Sequence, residues 1–591
     1  MMRFLLLMKN INSIIRRYCA MSLLALTSLS IQADDNMEWF SDAGFGMFIH
    51  FGANSQHPED FNPKDFDAKA WVNVAKEAGA KYIVYTTKHH TGMSHWDTKT
   101  TDWNSVKQTP FKRDIVKELA EAAKEAGIRL GFYYSIADWH HPEYDTRYSN
   151  RKDFHYSPNS EADIAKYMGF MFAQVKELCD TYQPSLFWFD GSSGFRNKDR
   201  KRMLGQQDMM DMLNECGALS NSRLGDDDTL KYVDYLSTGD NMVPASNIGV
   251  NFEVAGTMND SWHYKPNDKA WKSPKELLTL LVDIAGKGGN YLLNVGPTKL
   301  GVIPQESVSR LNAMGAWLKN NGEAIYGAKA GPYAHTLGWG SITQKFDGKN
   351  THLYLNVVNW PKDNKLMLYG INNNVLETTL LTSEKKLKTN TSFNAATGLN
   401  VYTLNLPTKA PDSLVSVIKL TAAGEVNMEP TILQQADGVV TLDGYQAHIH
   451  DLTHFAHKPL KIIENKMFTV MPRGKDKGIL PAHGMTVGGL NRVGQALSWD
   501  FKLIKPGTYK VAVLRAIKES NKLDQTGRMR VTVAGQTVEN QLVEHQRLSN
   551  NRMASHFKDS MTVLGTVKID AAGAQTLSLE VSKAPQDLEQ R

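Results

Sequence analysis

Residues 44–50 (GFGMFIH), 82–87 (YIVYTT), 129–135 (RLGFYYS) and 186–190 (LFWFD) are short apolar runs that end in polar residues. Between them lie stretches with helical spacing. In 114–125 the apolar positions are 115, 116, 119, 120 and 123, one face of a helix, and Gly127 stops it. The same pattern predicts helices at 71–78, 161–181, 274–286 and 305–320, and strands at 232–236, 250–253 and 290–295. The stretch 191–260 is irregular. Repeated strand–helix units over this length predict an α/β fold, a (β/α)8-like, TIM-type barrel at 34–328.

From about residue 329 the pattern changes. Runs at 353–358, 366–369 and 401–406 alternate or stay short, with Gly, Asn and Asp between them. They predict a β-sandwich domain at 329–421. TAAGEVNMEP (421–430) reads as a linker. A further β-rich module is expected at 431–591, with strands at 497–503 and 508–514 joined by Lys505-Pro506-Gly507. The module reads as either a carbohydrate-binding or a purely structural sandwich; no aromatic platform stands out in it, which favours a structural or weakly binding role.

Composition adds three constraints. The 591 residues are 41% hydrophobic and 22% charged, as in ordinary globular proteins. Net charge is +5, but Arg3, Lys9, Arg16 and Arg17 put +4 on residues 1–33, which hold no acid; +5 less +4 leaves +1 on the rest. That excludes nucleic acid as an expected partner. The basic residues precede an apolar run at 20–29, then Ala33 and two aspartates, the order of a signal peptide at 1–33. Export to the periplasm or medium is therefore expected, with no membrane span. Of three cysteines, Cys19 lies in the signal. Cys179 and Cys216 fall in helix-like stretches and do not amount to a disulfide framework. No Cys/His spacing matches a zinc site, and no metal or cofactor is expected.

In α/β barrels catalytic groups project from the C-terminal ends of strands. Here those ends are crowded with polar residues: His50; then Lys88, His89 and His90; then Tyr133, Tyr134 and Ser135 with Asp138, Trp139, His140 and His141; then Asp190. One such residue is commonly structural, and Asp190 alone reads equally as a helix N-cap. Four successive strands ending this way are hard to explain by packing. Two carboxylates with aromatic platforms are the equipment of glycoside hydrolysis. Neutral His and Tyr offer fixed donors and acceptors to sugar hydroxyls, while Trp139, Trp188 and Trp262 offer faces to C–H groups. The pair His89-His90 lacks a third residue at metal-ligand spacing.

The motifs GMFIHFGANS (46–55), AKYIVYTTKHHTG (80–92), TTDWNS (100–105), GFYYSIADW (131–139), LFWFDG (186–191), GTMNDSWHY (256–264), GGNYLLNVGPTKLGVIP (288–304) and NNGEAIYG (320–327) together resemble the α-L-fucosidases of glycoside hydrolase family 29. The resemblance covers about 290 residues. It implies a barrel followed by a β-sandwich, a fucosylated glycan as substrate, and retention through a covalent fucosyl-enzyme. It places the nucleophile on Asp190 and fucose binding on His50, His89, His90, Tyr134, Trp188 and Arg223, with Trp262 as a further binding candidate. Thr91 stands where many relatives have Asp, and His263 where many have Gly. For the acid/base the resemblance leaves two candidates: Asp240 in DYLSTGDN (234–241), the preferred one, and Glu253 at the end of VNFE (250–253). Two alternatives stay open at this level: a non-catalytic fucose binder on the same scaffold, and a hydrolase of a related sugar such as α-L-galactose.

Overall fold

The computed structural model describes residues 37–584 apart from 53–56, 145–162, 192–204, 225–232, 245, 334–336, 436–437, 452–454, 460–479, 483–485, 489, 491, 519–524 and 549–556. The proposed signal segment 1–33 and part of the expected strand at 232–236 lie outside the described residues.

Eight parallel strands form the first sheet: β1 (Phe45–Ile49), β2 (Tyr82–Lys88), β3 (Arg129–Ser135), β4 (Leu186–Asp190), β5 (Leu219–Ser220), β6 (Leu236–Ser237), β7 (Phe252–Thr257) and β8 (Gly289–Val295). Their order is β5-β4-β3-β2-β1-β8-β7-β6. A parallel bridge from Asn221 to Tyr235 brings the two short outer strands together and curls the sheet into a barrel. Every residue of β1, β2, β7 and β8 is buried, as expected of strands covered on both faces.

Helices α1 (Ala68–Glu77), α2 (Ile115–Ala126), α3 (Ile164–Tyr182), α4 (Gln206–Cys216), α5 (Pro274–Gly286) and α6 (Gln305–Asn321) follow β1, β2, β3, β4, β7 and β8. Their ends are written in the sequence. The Asp114 carboxylate caps α2 by accepting the Lys117 N–H, and Gly127 closes it at φ 69°, a left-handed angle that favours glycine. A capping box of Ser273 and Glu276, with Pro274 at the first turn, starts α5. On α3, Tyr167, Met171, Val175 and Leu178 form the buried stripe that packs on the barrel. Each such side chain contributes roughly 1.5–3 kcal/mol when fully buried.

The irregular stretch explains where expectation and structure part. Strand β5 is two residues long, too short for a periodic signal, and was not expected. The strand expected at 232–236 reduces to Leu236–Ser237, joined by the Tyr235 bridge. The strand expected at 250–253 instead runs Phe252–Thr257, because the small residues of VAGT continue the buried run. Among the described residues, no α-helix separates β5 from β6 or β6 from β7.

A β-sandwich follows. One sheet is ordered Val375–Leu380, Ser416–Ala423, Asn350–Val357, Gly340–Phe346, Lys329–Ala330; the other holds Lys365–Tyr369, Leu399–Asn405 and Thr389–Asn394. It is fastened to the barrel by the Trp317 indole N–H on the Val415 carbonyl (2.7 Å) and the Ser341 hydroxyl on the Val282 carbonyl (2.6 Å). The stretch read as a linker is partly structured: Ser416–Ala423 runs into it, and Met428 bridges to Ile371. The final β-rich module is built on the antiparallel pairs Ala496–Leu503 with Gly573–Lys583 and Gly507–Lys518 with Phe557–Ile569.

Cys179, on α3, and Cys216, at the end of α4, are joined as a disulfide with Cα atoms 5.7 Å apart. Two cysteines 37 residues apart on separate helices leave no spacing signal, so the bond emerges only from the packing of α3 against α4.

Candidate active site

The C-terminal ends of β1 to β4 converge as the strand pattern predicts. Asp190 is the last residue of β4, and its carbonyl is held by the Ile136 N–H (2.7 Å). The next residue, Gly191, turns at φ 76°; a side chain there would meet Ala137 and His90. The carboxylate is therefore presented on a tight turn.

Each Asp190 oxygen has a donor. The Tyr133 hydroxyl donates to Oδ2 (2.9 Å), and Arg223 Nη1 donates to Oδ1 (3.3 Å). His90 Nε2 stands 3.7 Å from Oδ2. Burial raises the carboxyl's pKa, but the charges of Arg223 and His90, the Tyr133 hydroxyl and the Gly191 N–H outweigh it, so Asp190 sits below the usual carboxylate range. This is an ionised, oriented carboxylate.

The histidines are set by their second nitrogens. Asn294 donates through Nδ2 to the Trp262 carbonyl (2.7 Å), so its Oδ1 faces His50 Nδ1 (2.7 Å) as acceptor. That fixes Nδ1–H on His50 and leaves Nε2 as an acceptor. Burial, then His263, pushes the His50 pKa down to about 3, keeping the ring neutral. His89 stacks on Tyr133 (5.3 Å between centroids, 5° between planes), and burial also drives its pKa well down. The Ser135 hydroxyl donates to the Ala137 carbonyl (2.6 Å) and so receives His90 Nδ1–H (2.6 Å). Trp139 packs at 5.1 Å from His90, and its backbone N–H donates to the His90 carbonyl.

Trp188 forms the floor. Tyr133 stacks beside it at 5.5 Å, and the Arg223 guanidinium lies 4.4 Å from its ring. Trp262 tilts over His50 at 4.9 Å. His263 adds a ring edge-on to His50 (5.6 Å) and His89 (5.1 Å), and burial lowers its pKa to about 4. Of the residues expected to meet the sugar, His50, His89, His90, Trp188, Arg223 and Trp262 are thus brought together around Asp190.

Tyr134 is not. Adjacent strand residues point to opposite faces, and Tyr134 sends its hydroxyl outward to Gln174 (2.7 Å) under the Lys88 ammonium. Tyr133 faces the site instead, its hydroxyl donating to Asp190 Oδ2. Lys88 and Asp138 form a buried ion pair (3.0 Å), and Asp138 also accepts the N–H groups of His140 and His141. These two residues hold the loop that carries Trp139. His140 stacks on Trp103 and His141 packs on Tyr167 and Phe170. Thr91 is buried. Asn294 and Ser135 set histidine tautomers; an Asn inside an apolar strand was the signal available for the first.

The two acid/base candidates differ sharply. Asp240 lies in the turn after β6, with 46% of its side chain exposed, and Arg223 Nη2 donates to it at 2.7 Å. Glu253 is completely enclosed inside the barrel, its oxygens taken by Trp188 Nε1 (2.7 Å) and the Tyr82 hydroxyl (2.6 Å). Burial raises its pKa to about 7.

Among the described residues no group of three His, Cys, Asp or Glu side chains converges to hold a metal, and no helix is long and apolar enough to cross a membrane.

The family model for alpha-L-fucosidase matches residues 56–323. The plasma alpha-L-fucosidase of Rattus norvegicus is 31% identical over 334 residues, covering 49% of this chain and 70% of that protein. An alpha-L-fucosidase structure from Vibrio sp. strain EJY3 shares the fold over 94% of this chain and 96% of its own (TM-score 0.76, 24% identity), C-terminal modules included. A family 29 alpha-L-fucosidase of Bacteroides thetaiotaomicron, solved as a trapped covalent intermediate with 2-fluoro-fucosyl fluoride, is 28% identical over 66% of this chain and 96% of its own, with a TM-score of 0.56. With the barrel, the site and these likenesses in agreement, the chain belongs to the α-L-fucosidases of glycoside hydrolase family 29.

Proposed function

We propose that this chain is an exported, exo-acting, retaining α-L-fucosidase that uses Asp190 as nucleophile and Asp240 as acid/base. The observation that carries the reading is the shared guanidinium: Arg223 donates to both carboxylates, so they lie beside one reaction centre. Asp190, ionised and held by Tyr133 and Arg223, attacks the anomeric carbon of a terminal α-L-fucosyl unit. Asp240 gives its proton to the departing glycosidic oxygen, then takes one from water as that water releases the sugar. His50, His89 and His90 meet the sugar hydroxyls as fixed donors and acceptors, and Trp188 and Trp262 supply apolar faces. Covalent trapping of the Bacteroides thetaiotaomicron relative supports the retaining route.

Export rests on the basic, apolar, small-residue order of 1–33, with cleavage near Asp34, and gains support from the disulfide, a bond kept in oxidising compartments.

A 2-deoxy-2-fluoro-fucosyl inhibitor tests the reading. Peptide mapping is expected to find the label on Asp190. Label on any other carboxylate overturns the assignment, and no turnover of an aryl α-L-fucoside overturns the function.

A further inference from the structure

Glu253 is the buried acid that this reaction scheme does not use. It lies on β7, inside the barrel, and completes a hydrogen-bonded layer across three strands. The Trp188 indole on β4 donates to its Oε1 at 2.7 Å, and the Tyr82 hydroxyl on β2 donates to its Oε2 at 2.6 Å. Both carboxyl oxygens are engaged and the residue has no exposed surface. A group so placed cannot reach a glycosidic oxygen.

What it does reach is the platform under the nucleophile. Trp188 carries Tyr133 stacked 5.5 Å away at 18° between planes, and the Arg223 guanidinium 4.4 Å from its ring. Tyr133 and Arg223 are the donors to the two oxygens of Asp190. The indole's rotation is set by its N–H, a buried donor that leaves a costly unsatisfied group unless it finds an acceptor. The Glu253 carboxyl group meets both at once, the indole at Oε1 and the Tyr82 hydroxyl at Oε2.

We infer that Glu253 is a positioning residue: by fixing the Trp188 indole it sets Tyr133 and Arg223 against Asp190, and so aims the nucleophile without touching the substrate. The inference rests on the reading of Asp190 as nucleophile.

Kinetics on an aryl α-L-fucoside and on a fucoside with a poor leaving group test it. Glu253→Ala is expected to lower kcat about 100-fold on both alike, the loss that goes with a misplacement of about 1 Å, with KM little changed and no rescue by azide. Glu253→Gln, which keeps an acceptor for the indole but cannot act as an acid, is expected to stay within a few-fold of the parent. Trp188→Phe removes the same hydrogen bond; combined with Glu253→Ala it is expected to add little further loss, the mark of residues acting as one unit.

Three outcomes overturn the inference: Glu253→Ala at parental kcat, losses of the two single variants that multiply, or a Glu253→Gln variant as impaired as Glu253→Ala. A loss confined to the poor leaving group and restored by azide also overturns it and moves the acid/base role to Glu253. Where Glu253→Ala does not fold, Glu253→Gln and Trp188→Phe decide, and a Trp188→Phe enzyme within a few-fold of the parent overturns the inference. Failure of the nucleophile reading shows separately, as a fluorosugar label away from Asp190.

Discussion

Asp190 and Asp240 share one guanidinium: Arg223 Nη1 lies 3.3 Å from the first and Nη2 2.7 Å from the second. Arg223 is itself fixed, Nη2 on the Thr238 carbonyl (2.9 Å) and Nε on the Ser237 hydroxyl (3.2 Å). Burial opposes its charge, but Asp240 and Asp190 outweigh burial and hold it protonated. A planar fork can serve two acceptors in fixed directions; an ammonium cannot.

Arg223→Lys is therefore expected to lower kcat/KM by about 100-fold or more, in the range seen when one aligned electrostatic donor is lost. Arg223→Gln tests the charge itself. Asp190 has a depressed pKa in the folded protein, so it stays ionised as pH falls until that low value is reached. Without Arg223, the largest influence lowering it, the pKa rises and the carboxylate is lost at higher pH. The acid limb of the kcat/KM profile is expected to move to higher pH. An acid limb unchanged in Arg223→Gln would count against Asp190 as the group that titrates there.

Glu253 makes a stability prediction with the opposite sign. Burial raises its folded pKa to about 7, against an ordinary value of 4.5. The folded state therefore holds a proton that the unfolded state releases between these values, and stability falls as pH rises from about 4.5 to about 7. At 1.36 kcal/mol per pKa unit the drop is about 3 kcal/mol. Glu253→Gln cannot titrate, so relative to the parent it is expected to gain stability across that window, with no further change above it. Urea unfolding at a series of pH values reads the difference directly; a pH-independent difference contradicts the raised pKa.

The disulfide closes a loop between Cys179 and Cys216 that contains Asp190. Closing a loop of this length is worth roughly 2–4 kcal/mol, mainly through the unfolded chain. Reduction, or a double Cys→Ser change, is expected to lower Tm while leaving kcat near the parental value, because β4 is held in the barrel by β3 and β5 rather than by the bond. A fall in kcat matching the fall in Tm would instead tie the bond to the site.

What the sequence showed and what it hid have physical reasons. Strands β1 to β4 and β8 are five to seven residues long, and polar groups lie at or just past the ends of β1 to β4, so apolar run length and strand-end chemistry pointed to His50, His89, His90 and Asp190. Asp190's orientation was beyond such patterns, since it depends on Tyr133, Arg223 and Gly191 meeting from three segments. Tyr133 and Tyr134 are indistinguishable by composition; only the pleat decides which one faces Asp190. Around Arg223 the chain is two-residue strands and turns, where periodicity carries no information, and the resemblance alone pointed to it. Glu253 read as a site residue because it ends an apolar run, whereas the fold puts it inside the barrel.

That last displacement bears on the acid/base. A general acid must reach the glycosidic oxygen, which in an exo-acting enzyme lies toward the mouth of the pocket, where the rest of the glycan leaves. Asp240 is partly exposed in the turn after β6, beside the Arg223 that also holds Asp190; Glu253 is sealed beneath Trp188. The raised pKa of Glu253 looks suited to an acid, but burial alone produces it, and both its oxygens are already occupied. Asp240→Ala is therefore expected to slow fucosides with poor leaving groups by orders of magnitude more than activated aryl fucosides, whose departure needs little protonation. Added azide is expected to restore turnover by attacking the β-linked fucosyl-enzyme from the face Asp240 served, releasing Asp190 and giving α-fucosyl azide. Both behaviours are required of an acid/base: an Asp240→Ala enzyme with equal losses on all leaving groups and no azide product would remove Asp240 from the role.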